Sequence, residues 1–146
     1  MRSLLYSFMT LLVLAALGSY PAASSEIERV PPVNHAATAR ECGECHMAFQ
    51  PALLPAGSWN RVMDELKDHF GEDASLPAKV AADIRAYLAT HAGRGGNPAV
   101  IRITEQPWFA SEHHYPTSVW QRPDIRTKSN CPACHVRAEQ GIYDDD

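Results

Sequence analysis

Two five-residue stretches constrain this chain more than anything else in it: "CGECH" from Cys42 to His46 and "CPACH" from Cys131 to His135. Together they use all four cysteines of the 146-residue chain. Each sets two thiols three positions apart and places a histidine directly behind the second. The fold must therefore present, twice, two sulfurs and an imidazole to a common partner. Dithiol redox chemistry, zinc and covalent haem are the candidates.

A redox dithiol needs its first cysteine at a helix N-terminus beneath a sheet, where the helix end lowers the thiol pKa. The residues ahead of Cys42, "VNHAATARE", hold no β-branched or aromatic run that could form a supporting strand. The histidine would also be idle in both copies. Zinc sites of four cysteines do combine two C-x-x-C pairs. Here the pairs stand near opposite ends of the chain, far wider than structural zinc motifs space them, and His46 and His135 would again be unused. Covalent haem accounts for every residue of the pentad. The two cysteines form thioethers to the vinyl groups of one porphyrin, and the histidine binds the iron from its proximal face. The expected cofactors are two c-type haems, haem 1 on Cys42, Cys45 and His46, and haem 2 on Cys131, Cys134 and His135.

The N-terminus reads as a separate object. Arg2 is followed by the apolar run "LLYSFMTLLVLAALG" and then by small residues in "SYPAASSE". A basic start, a short apolar core and small residues at the break describe a secretory signal peptide, assigned to 1–24, with Ala22 at the −3 position. The run is short for a membrane span, an uncleaved anchor being the alternative. The expected location is the periplasm, where thiols are paired or otherwise committed. Removing this segment leaves a chain rich in Ala and Pro and short of leucine. Two porphyrins would supply the missing apolar mass, so folding and haem attachment should be coupled.

The expected fold is mainly α: a small cytochrome c-like N-terminal haem domain, 25–92, followed by a helix-poor, largely irregular C-terminal haem segment, 99–146. In the first part "MAFQPALLPAG" is broken by Pro51, Pro55 and Gly57 and should wrap the edge of haem 1. Ser58 is the expected cap of a helix through "WNRVMDELKDHF", whose Trp59, Val62, Met63, Leu66 and Phe70 share one face. A second helix is expected in "SLPAKVAADIRAYLATHA", capped by Ser75. "GRGGNP", 93–98, ends it as a Gly-rich linker. "AVIRITEQPWF" could form a short strand or an extended clasp.

Each iron of an electron carrier needs a ligand on its second face. Candidates are His35, His69, His91, His113 and His114, with Met47 and Met63 as thioether alternatives that would raise the potential. His69 lies on the shoulder of the first helix's apolar face and is the expected distal ligand of haem 1. Met63 and Met47 fit better as packing. For haem 2, His113 is favoured because Trp108 and Phe109 just ahead of it could anchor that stretch; His114 and His35 stay open. His91 reads as a surface residue. Trp59, Trp108 and Trp120 read as packing. Arg102, Arg122, Arg126 and Lys128 could pair with haem propionates. Asp144, Asp145 and Asp146 read as a solvated acidic tail.

The run "ECGECHMAFQPALLPAGSWNRVMDELKDHFGEDASL", with "IRAYL", "RITEQPWF" and "CPACHVRAEQGIYDDD", resembles the small bacterial dihaem cytochromes c of the DHC type. The resemblance implies an exported electron carrier with bis-histidine haems. It also implies a membrane cytochrome b as donor and a small monohaem cytochrome as acceptor. His69 in "HFGEDA" and a histidine after "PWF", at His113, match the family's distal ligands. No nucleic acid or small-molecule substrate is expected. The rival class is a small haem enzyme, of peroxidase or nitrogen-oxide reductase type, or a ligand-binding haem protein with haem 2 open.

Overall fold

The structure, a computed structural model, describes residues 29–144. The apolar run and small residues assigned to a signal peptide, and the last two aspartates, lie outside the described residues. Among the described residues the regular elements are all helical: α1 (Ala36–Glu41), α2 (Ala56–Asp64), α3 (Ala78–Thr90), α4 (Pro107–Glu112) and α5 (Thr117–Trp120), with short 3-10 turns between them. β pairing is confined to isolated bridges, such as Arg29 with Ile142. No helix among the described residues is long and apolar enough to cross a membrane.

α1 starts where His35 accepts a hydrogen bond from the Thr38 backbone N–H, and it delivers Cys42 at its C-terminal cap. α2 differs from its sequence expectation in a way that matters below. It begins at Ala56 behind Pro55, not behind Ser58. Ser58 is fully buried, and its hydroxyl donates to the Val100 carbonyl at 2.6 Å instead of capping the helix. The helix then breaks early. The Glu65 N–H is shared between the Arg61 and Val62 carbonyls, which tightens the chain into a 3-10 turn at Leu66–Asp68 and sets His69 in a loop. α3 likewise begins at Ala78 after Pro77, without a cap from Ser75.

α2 and α3 pack against each other, and Trp59, Val62, Met63, Ile84 and Leu88 form the centre of the core with Leu53, Leu54 and Ile103. Ile103 comes from the second half of the chain, so one core serves both halves. The Gly-rich stretch between them is pinned down. Gly93 donates to the Leu54 carbonyl at 2.9 Å. A side chain at Gly93 would meet the Ala52 carbonyl oxygen at 2.2 Å, so only glycine allows that approach. Gln106, also fully buried, ties Asn97 and Val100 together through its side-chain amide.

"AVIRITEQPWF" forms no strand. It runs extended to a 3-10 turn at Ile103–Glu105 and then enters α4, with Pro107 in the first turn where a missing N–H costs nothing. Beyond α5 the chain is turns as far as the second pentad, which sits in a 3-10 turn at Cys131–Ala133.

Candidate haem-binding site

The two pentads lie in turns. Among the described residues no three His, Cys, Asp or Glu side chains converge on a point as a zinc site would require. None of the four cysteines is in a disulfide. Burial pushes the Cys131 thiol up to about 11, and burial followed by the Glu41 carboxylate raises that of Cys42. A redox dithiol needs the opposite shift.

The rings of His46 and His69 lie with centroids 6.3 Å apart and planes 31° apart. Those of His113 and His135 lie 6.0 Å apart, with planes 80° apart. An imidazole nitrogen binds a first-row metal at about 2.0 Å, and its ring centroid lies about 1.1 Å farther back. Two imidazoles facing each other across one metal therefore place their centroids about 6.2 Å apart. Both pairs have that spacing, and each includes the histidine of one pentad.

Aromatic rings set the imidazoles from behind. Phe49 stacks on His46 with centroids 4.9 Å apart, and the His46 Nδ1 is 2.7 Å from the Met47 carbonyl oxygen. Phe109 lies flat on His113, centroids 4.0 Å and planes 5° apart, one helical turn earlier in α4. The His113 Nδ1 is 3.2 Å from the Phe109 carbonyl. Tyr143 presents its ring to His135 edge-on at 5.5 Å. The His135 Nδ1 is buried without a hydrogen-bond partner. His69 is held below the ordinary histidine pKa, first by burial and then by His46 and Arg102 nearby, which favours the neutral ring that a metal binds.

The second pair lies in a cavity of about 830 Å³ whose lining includes Cys131, Cys134, Trp108 and Trp120 besides His113 and His135. That volume falls in the range of about 300–1,000 Å³ common for cofactor sites. Flat aromatic walls, two thiols at the rim and an imidazole pair at metal-spanning separation all fit a covalently held haem. At the first pentad Cys42, Cys45 and the His46–His69 pair offer the same donor set.

The other candidates are placed differently. His114 also lines the second cavity but is exposed, with its Nδ1 2.9 Å from the Ser111 carbonyl oxygen. His35 caps α1, stacks on Tyr87 and sits 3.3 Å from the Asp83 carboxylate. His91 is exposed with its Nδ1 near the Tyr87 carbonyl. Met63 is core. Trp59 is buried and donates to the Pro51 carbonyl at 2.7 Å. Arg102 stands over the Phe70 ring, Arg122 pairs with Asp124 at 2.6 Å, and Lys128 lies 5.4 Å from the Trp120 centroid. Asp144 is no free tail residue: it pairs with Arg29 at 2.8 Å and Arg137 at 3.2 Å. Sequence reasoning passed over Gln50 and Tyr143, which join the two sites by a hydrogen bond; nothing local to either residue signals it.

Comparison with known proteins agrees. The family described as dihaem cytochrome c matches residues 38–143. A crystal structure of DHC purified from Rhodobacter sphaeroides is 41% identical, covering 76% of this chain and 98% of that one, with a TM-score of 0.65. A diheme cytochrome c from the same organism is 39% identical over 77% of this chain and 99% of its own, TM-score 0.70. A diheme cytochrome c from Shewanella baltica is 40% identical over 75% of this chain and 86% of its own, TM-score 0.68. No curated protein sequence matches the chain. The chain therefore belongs to the dihaem cytochrome c family, a family of electron carriers with two covalently bound c-type haems.

Proposed function

We propose that this protein is an exported periplasmic electron carrier whose two irons are each held by two histidines. The observation that carries the reading is the spacing of two imidazole pairs, 6.3 Å beside the first pentad and 6.0 Å beside the second, which suits one metal between each. When bound, each haem supplies a reversible one-electron iron couple.

The chain's residues do the rest. Cys42 and Cys45 would hold haem 1, and Cys131 and Cys134 would hold haem 2. His46 and His69 would bind the iron at the first site, His135 and His113 at the second. Two histidines at each metal would leave no place for a substrate, which separates a carrier from a haem enzyme. Phe49 and Phe109 fix the ring planes of His46 and His113, so little in the protein needs to move between oxidation states. The aromatic side chains lining the second site would cover part of the haem and so help set its potential.

Export follows from the signal-like N-terminus and places the protein between a membrane-associated donor and a periplasmic acceptor. By the family resemblance these are a membrane cytochrome b and a small monohaem cytochrome. Docking to such partners is brief and electrostatically steered.

The test is the spin state and carbon monoxide reactivity of the haem-loaded protein. The carrier reading expects two low-spin ferric signals in equal amount and no rapid carbon monoxide binding to the reduced form at neutral pH, since any combination has to wait for a ligand to leave. A high-spin signal integrating to one iron in two, with carbon monoxide binding to match, would mean an open site and a ligand-binding or catalytic protein.

A further inference from the structure

The loop that carries His69 is built on an unfavourable backbone. The His69 N–H donates to the Glu72 carbonyl at 2.7 Å, and the Glu72 N–H returns to His69 at 3.3 Å, closing a tight reverse turn. Both central residues have positive φ, +58° at Phe70 and +104° at Gly71. Such a turn is ordinarily filled by Gly, Asn or Asp at both positions. Gly71 adopts it freely, but for a bulky aromatic it is a genuine outlier. Strain of this kind persists only where the surroundings over-determine it.

Burial does not hold Phe70 there, because the residue is 41% exposed. Its ring contacts do. The Arg102 guanidinium lies 4.0 Å from the Phe70 ring centroid, within cation–π range. The His69 ring packs against the same phenyl group at 4.7 Å. Arg102 is itself anchored: its neighbour Ile103 is buried in the core, and the Glu105 carboxylate is 3.7 Å from its Nε. The order of contact is thus Arg102, Phe70, His69, running from the strap that leads to the second site into the ligand loop of the first.

We propose that Arg102 is a positioning residue for His69, acting through Phe70 as a latch that keeps the strained turn closed and the imidazole aimed at His46. The inference rests on the reading of His69 as the distal ligand of haem 1. Because the latch is a surface contact, His69 becomes the most readily displaced of the four axial histidines. Its counterpart His113 is backed instead by the buried Phe109.

The experiment uses the haem-loaded, reduced protein mixed with carbon monoxide, whose combination at a six-coordinate iron is limited by departure of the distal histidine. Four variants are compared with the parent: Arg102→Gln, Phe70→Leu, the double variant and Arg102→Lys. His69→Ala serves as the reference for an open site. Arg102→Gln and Phe70→Leu should each raise the rate at one haem about two- to fivefold, the factor a partly exposed cation–π contact is worth. The double variant should be no faster than the faster single, and Arg102→Lys, which keeps the cation, should stay closer to the parent.

Rates equal to the parent in all four variants, with His69→Ala binding at once, would overturn the latch and leave the ligand assignment standing. Additive effects of the two single variants would also overturn it, since Arg102 would then act by a route other than Phe70. A His69→Ala protein that still excludes carbon monoxide from both haems would remove the ligand reading and the latch with it.

Discussion

Gln50 and Tyr143 stand 93 positions apart, yet the Tyr143 hydroxyl donates to the Gln50 side-chain oxygen. Gln50 is fully buried, and its amide nitrogen donates onward to the Ala138 carbonyl at 2.7 Å and the Glu139 carbonyl at 3.3 Å. Phe49, beside Gln50, stacks on His46, while the Tyr143 ring meets the edge of His135. One side chain thus clamps the turn behind the first pentad to the turn behind the second. Burial, with a smaller contribution from Cys131, pushes the Tyr143 hydroxyl above the phenol range, so it stays a donor at any working pH. Tyr143→Phe leaves the buried Gln50 oxygen unpaired and should cost about 1–3 kcal/mol in denaturant unfolding of the haem-loaded protein. Gln50→Leu, which removes the acceptor of the Tyr143 hydroxyl and the donor to the Ala138 and Glu139 carbonyls together, should cost more.

The two imidazole pairs differ in twist, 31° at His46–His69 against 80° at His113–His135. Nearly parallel axial rings split the iron d-orbitals rhombically, whereas nearly perpendicular rings leave them close to degenerate. Electron paramagnetic resonance of the oxidised protein should therefore show one ordinary rhombic low-spin signal and one strongly anisotropic signal with a single low-field feature. Two identical rhombic signals would contradict the geometry.

His46 and His135, the proposed proximal ligands, differ in a second way. His46 can donate its Nδ1–H to the Met47 carbonyl at 2.7 Å, whereas the His135 Nδ1 is buried without an acceptor. Donation to a carbonyl makes an imidazole a stronger base toward its metal and stabilises the ferric state. Haem 1 should therefore have the lower potential. In a potentiometric titration followed by electron paramagnetic resonance, the rhombic signal should be the last to disappear as the protein is reduced.

Haem should be needed for folding. The apolar side chains that line the cleft of about 830 Å³ at the second site, among them Leu53, Phe109 and Ile125, would face water without a haem to cover them. The Cys42→Ser, Cys45→Ser, Cys131→Ser, Cys134→Ser variant, exported by a host competent to attach haem, should show reduced helical circular dichroism and rapid proteolysis. A cooperative unfolding transition like that of the loaded protein would count against this.

What the sequence revealed depended on how local the chemistry is. The family and its two haems were legible because each pentad sets two thiols and an imidazole within five consecutive residues. Phe109 and His113 were nearly so, since their i,i+4 spacing becomes a stack once α4 is recognised. The start of α2 was misread at Ser58 because its hydroxyl satisfies Val100 from the other half of the chain, a partner that no cap rule sees. His69 was found on a helical face, but the 3-10 break after Glu65 moves it into a turn. The positive φ of Phe70 and the Gln50–Tyr143 bond depend on contacts between distant segments and leave no local signature.

The most direct test of the account is a crystal structure of the haem-loaded protein with both irons located by anomalous scattering. The account predicts one iron between the Nε2 atoms of His46 and His69 and the other between those of His113 and His135, each nitrogen about 2.0 Å from its metal. An iron open on its distal face, or closed there by His114, His35 or Met63, would contradict it.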